Sequence, residues 1–467
     1  VHFLIEKICS HPTYSHERSL KAALLDAAYF CMMVGFGETF LSSFAIALGG
    51  TAFQVGMMSA IPPLVAALSQ TLGLNLFRRG VPRKKIIATG VFIQGISWFC
   101  IAALALLVSH ANSWTIWILL LLWSIYLGSG NTTAPAWNSL IGDLVPPTIR
   151  GSYFGFRTQR SGWITVGSML IGGLILSYAR SSGYELPGFA VLFSIAGVAR
   201  LISGYWLAQY DEPGYSITKN EQFSFFDFLR KTRSSNFAKF VFFLGLMNGA
   251  ASFSGSYFSL YILRDLKLSY IAFSGLVTIQ LITQYLFMTQ WGKLSDEFGN
   301  KKILEVCALG ICFSSIIWLV SDNYIYMCFG QIYGGLFWAG FNLAAGNFLF
   351  DAVTPPKRAQ CATYTTLINS SFVALGSYLG GLIVTYAPSD FLINQGLFTG
   401  TSIYFKIFTI SLVLRLTIYF LMLPKFTEVR SVSPSRHRDI FYRITGIHSV
   451  AEASFEWINA SRSRKDR

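Results

Sequence analysis

Apolar stretches long enough to cross a bilayer alternate with short polar turns along most of this chain, from Ala22 to Leu423. Their limits predict twelve helices, over 22–48, 53–76, 86–109, 113–141, 158–179, 187–209, 238–263, 268–291, 303–321, 324–351, 360–387 and 402–423. Polar turns such as Gly49-Gly50 and Ser109-His110-Ala111-Asn112 part them. Residues 388–401 read as an outer, periplasmic loop or a short interfacial segment.

The second six stretches echo the first. NSLIGDLVPPTIRG (Asn138 to Gly151) returns as NFLFDAVTPPKRA (Asn347 to Ala359), and GSMLIGGLI from Gly167 returns as GSYLGGLI from Gly376. In the first echo an Asp ends the helix, Pro-Pro stops it, and an Arg follows seven residues after the Asp. The pairs Asp143/Arg150 and Asp351/Arg358 therefore read as helix-end clamps within each half, with a gating role second. The expected fold is an all-α membrane protein of 12 transmembrane helices in two pseudo-symmetric six-helix bundles, 22–209 and 238–423. A tail (1–21) precedes them, a linker (210–237) joins them and a second tail (424–467) follows. Duplicated halves of this kind are the build of an alternating-access carrier, with its central site between them.

Composition agrees with the pattern: 53% of residues are hydrophobic, and the 12% that are charged fall well short of a soluble protein's share. The net charge of +14 raises nucleic acid as a partner, but the placement of the charge removes it. Of 36 Lys and Arg, 30 fall in the tails, the linker, the loops and the adjoining helix starts of one side, among them loops 78–85 and 292–302. That asymmetry puts both termini in the cytoplasm of a cell inner (plasma) membrane, with lipid headgroups as partners of the excess charge. The first 21 residues are polar, so no removable signal peptide is expected. The linker segment Phe223 to Arg233 has the aromatic and basic mixture of an interfacial helix, and the second tail carries Ile440, Ile444, Ile447 and Val450 at helical spacing. All six histidines lie outside the spans and the cysteines fit no metal or redox spacing. No metal and no cofactor are expected, and the cysteines read as small buried apolar residues.

One loop carries a family signature. WGKLSDEFGNKKIL (Trp291 to Leu304) resembles the G-x-L-x-D-x-x-G-x-[RK]-[RK] loop of the major facilitator superfamily, through Gly292, Leu294, Asp296, Gly299, Lys301 and Lys302. Its first-half counterpart, LNLFRRGVPRKKII (Leu74 to Ile87), departs, with Arg79 in place of the Asp and Pro82 in place of the second Gly. The resemblance implies a bacterial-type permease that works as a monomer. It also implies a gate in which Asp296 grips the start of helix five near Arg157. Glycines at 292 and 299 permit a tight turn, and a carboxylate at a helix N-terminus is favourable.

An ionisable group inside a membrane is costly and by default points to function. Glu38, beside Gly35 and Gly37 in the first helix, is the leading candidate for proton and substrate binding. Helices one, four, seven and ten line the cavity if the resemblance holds. Asn131, Asn248, Asn342 and Trp338 then face Glu38, and Gln280, Gln284 and Asn369 add amides from helices eight and eleven. Each amide serves equally well as a helix-to-helix hydrogen bond. Asp26 reads as a solvated or clamping charge, and Arg200 and Arg415 as peripheral residues reaching for headgroups. Arg157 and Arg160 open helix five and read as anion contacts or loop partners. The glycines of helices five and eleven serve close packing; helix five lacks the proline that often marks the family's antiporters, so export is not established.

An enzyme is not expected: the spans hold no histidine, Glu38 has no carboxylate one turn away, and no phosphate-binding Gly-x-x-x-x-Gly-Lys loop appears. The expected activity is secondary transport of a small organic solute, proton-coupled through Glu38. The alternatives are a transport-inactive sensor or scaffold on the same fold, or an uncoupled facilitator. The aromatics Tyr333, Trp338 and Phe341 suit a sugar, an aromatic metabolite or a lipophilic drug alike.

Overall fold

The computed structural model describes residues 17–108, 113–146, 150–213, 230, 235–354, 357–386 and 403–430. Most of the interfacial linker segment, the 388–401 loop and the helical pattern of the second tail lie outside these residues. The first half is α1 (Glu17–Ala47), α2 (Ala52–Arg78), α3 (Arg83–Leu107), α4 (Ser113–Leu144), α5 (Arg150–Ser181) and α6 (Glu185–Ala208). The second is α7 (Asn236–Asp265), α8 (Tyr270–Phe298), α9 (Asn300–Val320), α10 (Tyr324–Ala352), α11 (Arg358–Tyr386) and α12 (Ile403–Met422). Among the described residues 11 helices are long and apolar enough to cross a membrane. The other, α10, has the length, but Gln, Asn, Tyr and Trp dilute its hydropathy.

The repeat extends to irregularities. In α1 the α-helix stops at Phe36 after 20 residues, passes through a 3-10 turn at Glu38–Phe40 and resumes at Leu41. Gly37 lets Trp98 pack against the break, since a Cβ there would meet its ring at 2.6 Å. In α7 the α-helix likewise stops after 20 residues, at Gly255, and the element ends on a π-turn at Tyr261–Asp265. Glu38 and Tyr257 thus occupy corresponding breaks.

Packing follows the same symmetry. α1 lies against α5 and α6, and α7 against α11 and α12. The halves meet mainly through α2 with α11 and through α5 with α8, and also where the ends of α1 and α7 touch. Close approaches between the halves occur at the end away from the basic loops. There a Cβ at Gly173 would sit 2.4 Å from Ser274 Oγ, and Ile271 N donates to Ser177 Oγ at 3.0 Å. Gly381 faces Tyr257 and Phe53, and Phe53 meets Tyr378 edge-on.

At the basic end each half is tied by the segment that follows its last helix. After α6, Asp211 exchanges two hydrogen bonds with Ser19 of α1, and Glu212 accepts from Arg83 N at the start of α3. After α12, Thr427 exchanges bonds with Asn236 of α7, and Glu428 accepts from Lys301 N at the start of α9. These straps satisfy helix N–H groups that have no partner inside their helices.

The anticipated clamps take other partners. Asp143 is held by the fully buried Arg83 at 2.5 Å, while the Arg150 side chain lies outside the described residues. Asp351 accepts from Arg430 at 2.7 Å and from Asn300 at 2.6 Å. Arg358 turns back instead onto the carbonyls of Val353 and Phe350, which the end of α10 leaves open. The 292–302 loop is also shorter than expected. α8 continues through Gly292 and Asp296 to Phe298, and Gly299 alone, at φ +86°, makes the turn. Lys301 and Lys302 flank Glu305 on the first turn of α9, at 3.6 and 3.5 Å.

Candidate functional site

A cavity of about 450 Å³ lies within the first half, lined from α1, α3, α4, α5 and α6, with Tyr285 of α8 closing one side. It contains four charged side chains. Glu38 projects from the break in α1, where one turn of tighter helix re-aims its side chain, and accepts a hydrogen bond from Tyr126 of α4 at 2.5 Å. Tyr126 is fixed by aromatic neighbours: it stacks on Trp123 at 4.9 Å and meets Trp98 edge-on at 5.0 Å. These rings hold the hydroxyl in one place, as a buried tyrosine that must still find a partner requires.

Deeper toward the basic end, Arg200 of α6 is 5% exposed. Its Nε donates to Gln94 Oε1 at 2.8 Å and its Nη1 to Ser203 Oγ at 2.7 Å, while its guanidinium lies over the Phe30 ring. Ser203 passes the contact on, donating to Asp26 at 2.6 Å. Asp26 also accepts from Tyr210 at 3.1 Å and faces Arg157 at 3.8 Å. Two carboxylates and two guanidiniums therefore balance one another in one compartment. That arrangement suits the membrane interior, where an unmatched charge is expensive.

Several expectations change here. Arg200 does not reach for headgroups; it is internal, because Gln94, Ser203 and Phe30 supply the contacts a guanidinium needs. Arg415 is likewise 6% exposed. Asp26 is not solvated, being 3% exposed, and its clamping role is the one seen. Helices seven and ten contribute nothing to this cavity, so Asn248 and Asn342 do not meet Glu38. Asn248 donates to Asn369 at 2.7 Å and so joins α7 to α11, while Asn342 is exposed. Asn131 does line the cavity, with its amide returned to Leu127 O of its own helix. Gln280 and Trp338 line a separate, smaller cavity in the second half, and Gln284 is half-buried outside both. Asp296 is exposed and faces Arg430 at 3.3 Å rather than the start of α5. Arg157, its expected partner, is engaged with Asp26 and the Ala23 carbonyl. Cys100 is exposed on the outer surface, unlike the buried Cys307, Cys312 and Cys361.

Sequence reasoning passed over Tyr126, Gln94 and the roles of Arg200 and Asp26. The signal for the charged pair was present, since both are ionisable residues within apolar spans. Tyr126 carried no such mark among many aromatics; only the fold sets it against the α1 break.

Comparison with known proteins agrees with the architecture. Residues 240–439 match the family described as Major Facilitator Superfamily. Over 112 residues the chain is 26% identical to the efflux pump azaK of Aspergillus niger, a stretch that spans about a quarter (24%) of that protein. Among solved structures, that of the nucleoside transporter NupG superposes with a TM-score of 0.65 at 16% identity, over 87% of this chain and 98% of that one. An inward-facing, unoccupied bacterial homolog of the human lysosomal transporter Spinster gives 0.62 at 18% identity, over 89% and 98%. At these identities the structures speak for the fold, and the family match speaks for the second half. Together they show a fold of the major facilitator type, with residues 240–439 matching that family's description.

Proposed function

We propose that the protein is a secondary active transporter that moves a small organic solute by alternating access, with Glu38 as the proton-coupling group. The observation that carries this reading is the placement of Glu38 on the α1 break, lining a cavity of about 450 Å³ that also holds Arg200 and Arg157. That volume falls in the range of small-molecule sites. A carboxylate that can take or release a proton beside a fixed guanidinium changes the charge of the compartment by one. Solute and proton then influence each other's occupancy, as coupling requires. The close approaches between the halves at Gly56, Gly173 and Gly381 support a state closed at the end away from the basic loops. The count of Lys and Arg supports placing the basic end in the cytoplasm.

The test is counterflow and accumulation in proteoliposomes with a solute first identified by thermal stabilisation. Glu38→Gln, which resembles the protonated acid but has no proton to release, is expected to bind and exchange solute while losing accumulation driven by a pH gradient. A Glu38→Gln protein that concentrates solute with wild-type pH dependence removes Glu38 from the coupling role.

A further inference from the structure

The first half answers its buried arginine with a carboxylate; the second half does not. Arg415 of α12 occupies the position in its bundle that Arg200 holds in the other, and its side chain is 6% exposed. Its Nη1 donates to Ile311 O at 2.8 Å and Ser314 Oγ at 3.2 Å. Its Nη2 reaches Ser254 Oγ at 3.2 Å and Ala251 O at 3.4 Å. Its Nε has no partner. Every group it touches is neutral. The first 20 residues of α7, against which it packs, contain no Asp or Glu, and neither does α12. Where Ser203 leads from Arg200 to Asp26, Ser254 leads from Arg415 only to Ser411 and a backbone carbonyl.

A guanidinium held in a span without a counter-charge is unfavourable. The structure offers somewhere to put the missing charge. Arg415 lines a cavity of about 200 Å³ whose walls include Gln280, Ser315, Gln331 and Trp338. The Ser315 hydroxyl is buried and, like Arg415 Nε, lacks a partner. Both residues that carry an unsatisfied donor thus line one small space. Native proteins seldom leave such groups unpaired.

We propose that this cavity binds a small monovalent anion, a halide or a one- or two-carbon carboxylate, held between Arg415 and Ser315. The volume admits such an ion with a few waters, each needing roughly 30 Å³, and is small for a solute of nucleoside size. The inference concerns binding alone and stands independently of Glu38 and of transport.

Thermal unfolding of the purified protein in nanodiscs tests it, with chloride or acetate replacing gluconate at constant ionic strength. Wild-type protein is expected to gain stability that saturates with the small anion. Ser315→Ala should raise the half-saturating concentration about three- to tenfold, the loss of one hydrogen bond. Arg415→Gln should raise it at least about tenfold, the loss of a charge-assisted contact. In gluconate Arg415→Gln should be no less stable than wild type, because an unanswered charge has been removed. Saturation at lower chloride than acetate identifies the site as one for an inorganic ion; the reverse order identifies it as one for the carboxylate of an organic solute. An unsaturable rise with either salt, or identical curves for wild type and Ser315→Ala, would overturn the proposal and leave Arg415 a structural cation. Should Arg415→Gln fail to fold, Ser315→Ala decides alone.

Discussion

Tyr257 closes the far end of the molecule, and Gly56 is the residue that lets it. From the α7 break the Tyr257 ring, fully buried, inserts between α2 and α11 and donates its hydroxyl to the Ser377 carbonyl. A Cβ at Gly56 would stand 2.0 Å from that hydroxyl oxygen and 2.9 Å from the ring carbon that bears it. Normal contact needs more than 3 Å, so Gly56→Ala forces α2 outward by about 1 Å or turns Tyr257 away from Ser377. Overpacking of this kind costs about 1–3 kcal/mol, and a buried tyrosine hydroxyl left without its acceptor costs a similar amount. The state with this end closed is therefore disfavoured by about 2 kcal/mol against one in which α2 and α11 have parted, a shift of roughly thirtyfold in population. Spin labels at Tyr184 and Tyr386, both exposed at this end of opposite halves, should show a new long-distance population in a cysteine-free background. Tyr257→Phe, which removes the hydrogen bond and leaves the ring, should move the distribution by less. Identical distributions in wild type and Gly56→Ala would refute the view that this close approach holds the end shut.

Four further outcomes are expected. Arg430→Gln should reduce stability by about 1 kcal/mol, since the Asp351 contact is partly shielded and the Asp296 contact is exposed; a denaturant midpoint equal to wild type would contradict it. Hydrogen bonding to Asp351 pushes the Arg430 guanidinium above its ordinary value, so its contribution persists below that ordinary value and is lost only as pH rises through the raised one. Stability between about pH 7 and 10 should then carry no Arg430-dependent slope, which a pH series of wild type and Arg430→Gln would check. Asp296→Asn should change stability by less than about 1 kcal/mol, because its Arg430 contact is exposed, yet shorten the lifetime of any state closed at the basic end; unchanged distances between labels on loops 78–85 and 292–302 would return Asp296 to a surface role. A cysteine at Asp322 should react with an impermeant thiol reagent added outside cells and one at Gly80 should not; the reverse would overturn the orientation drawn from the Lys and Arg count.

The twelve helices and their duplication were legible because bilayer-length apolar runs and the recurring Asp, Pro-Pro and Arg pattern are local signals. Glu38 was legible for a related reason, as a charge amid apolar neighbours. The α1 break was not, because only the fold sets Trp98 against Gly37. The location of the cavity inside one half also escaped. Asn131, Asn248 and Asn342 look alike in sequence, and only packing decides that one lines the cavity, one joins two helices and one is exposed. Arg83 was counted as topology charge, although the fold buries it completely against Asp143 and the Pro213 carbonyl. Such pairings depend on residues far apart in the chain, which no window of sequence brings together.

The matching straps at Asp211-Glu212 and Thr427-Glu428 have a consequence for how the chain came to be and how it can be taken apart. Each six-helix unit carries its own buckle, fastened to the heads of its first and third helices, so neither relies on its neighbour to stay shut. The module that was copied therefore ended beyond its sixth span, with the buckle included. A gene cut within codons 214–229 and expressed as two fragments should give halves that insert separately and find each other in the membrane. Removing Glu212 or Glu428 should loosen only the half that carries it.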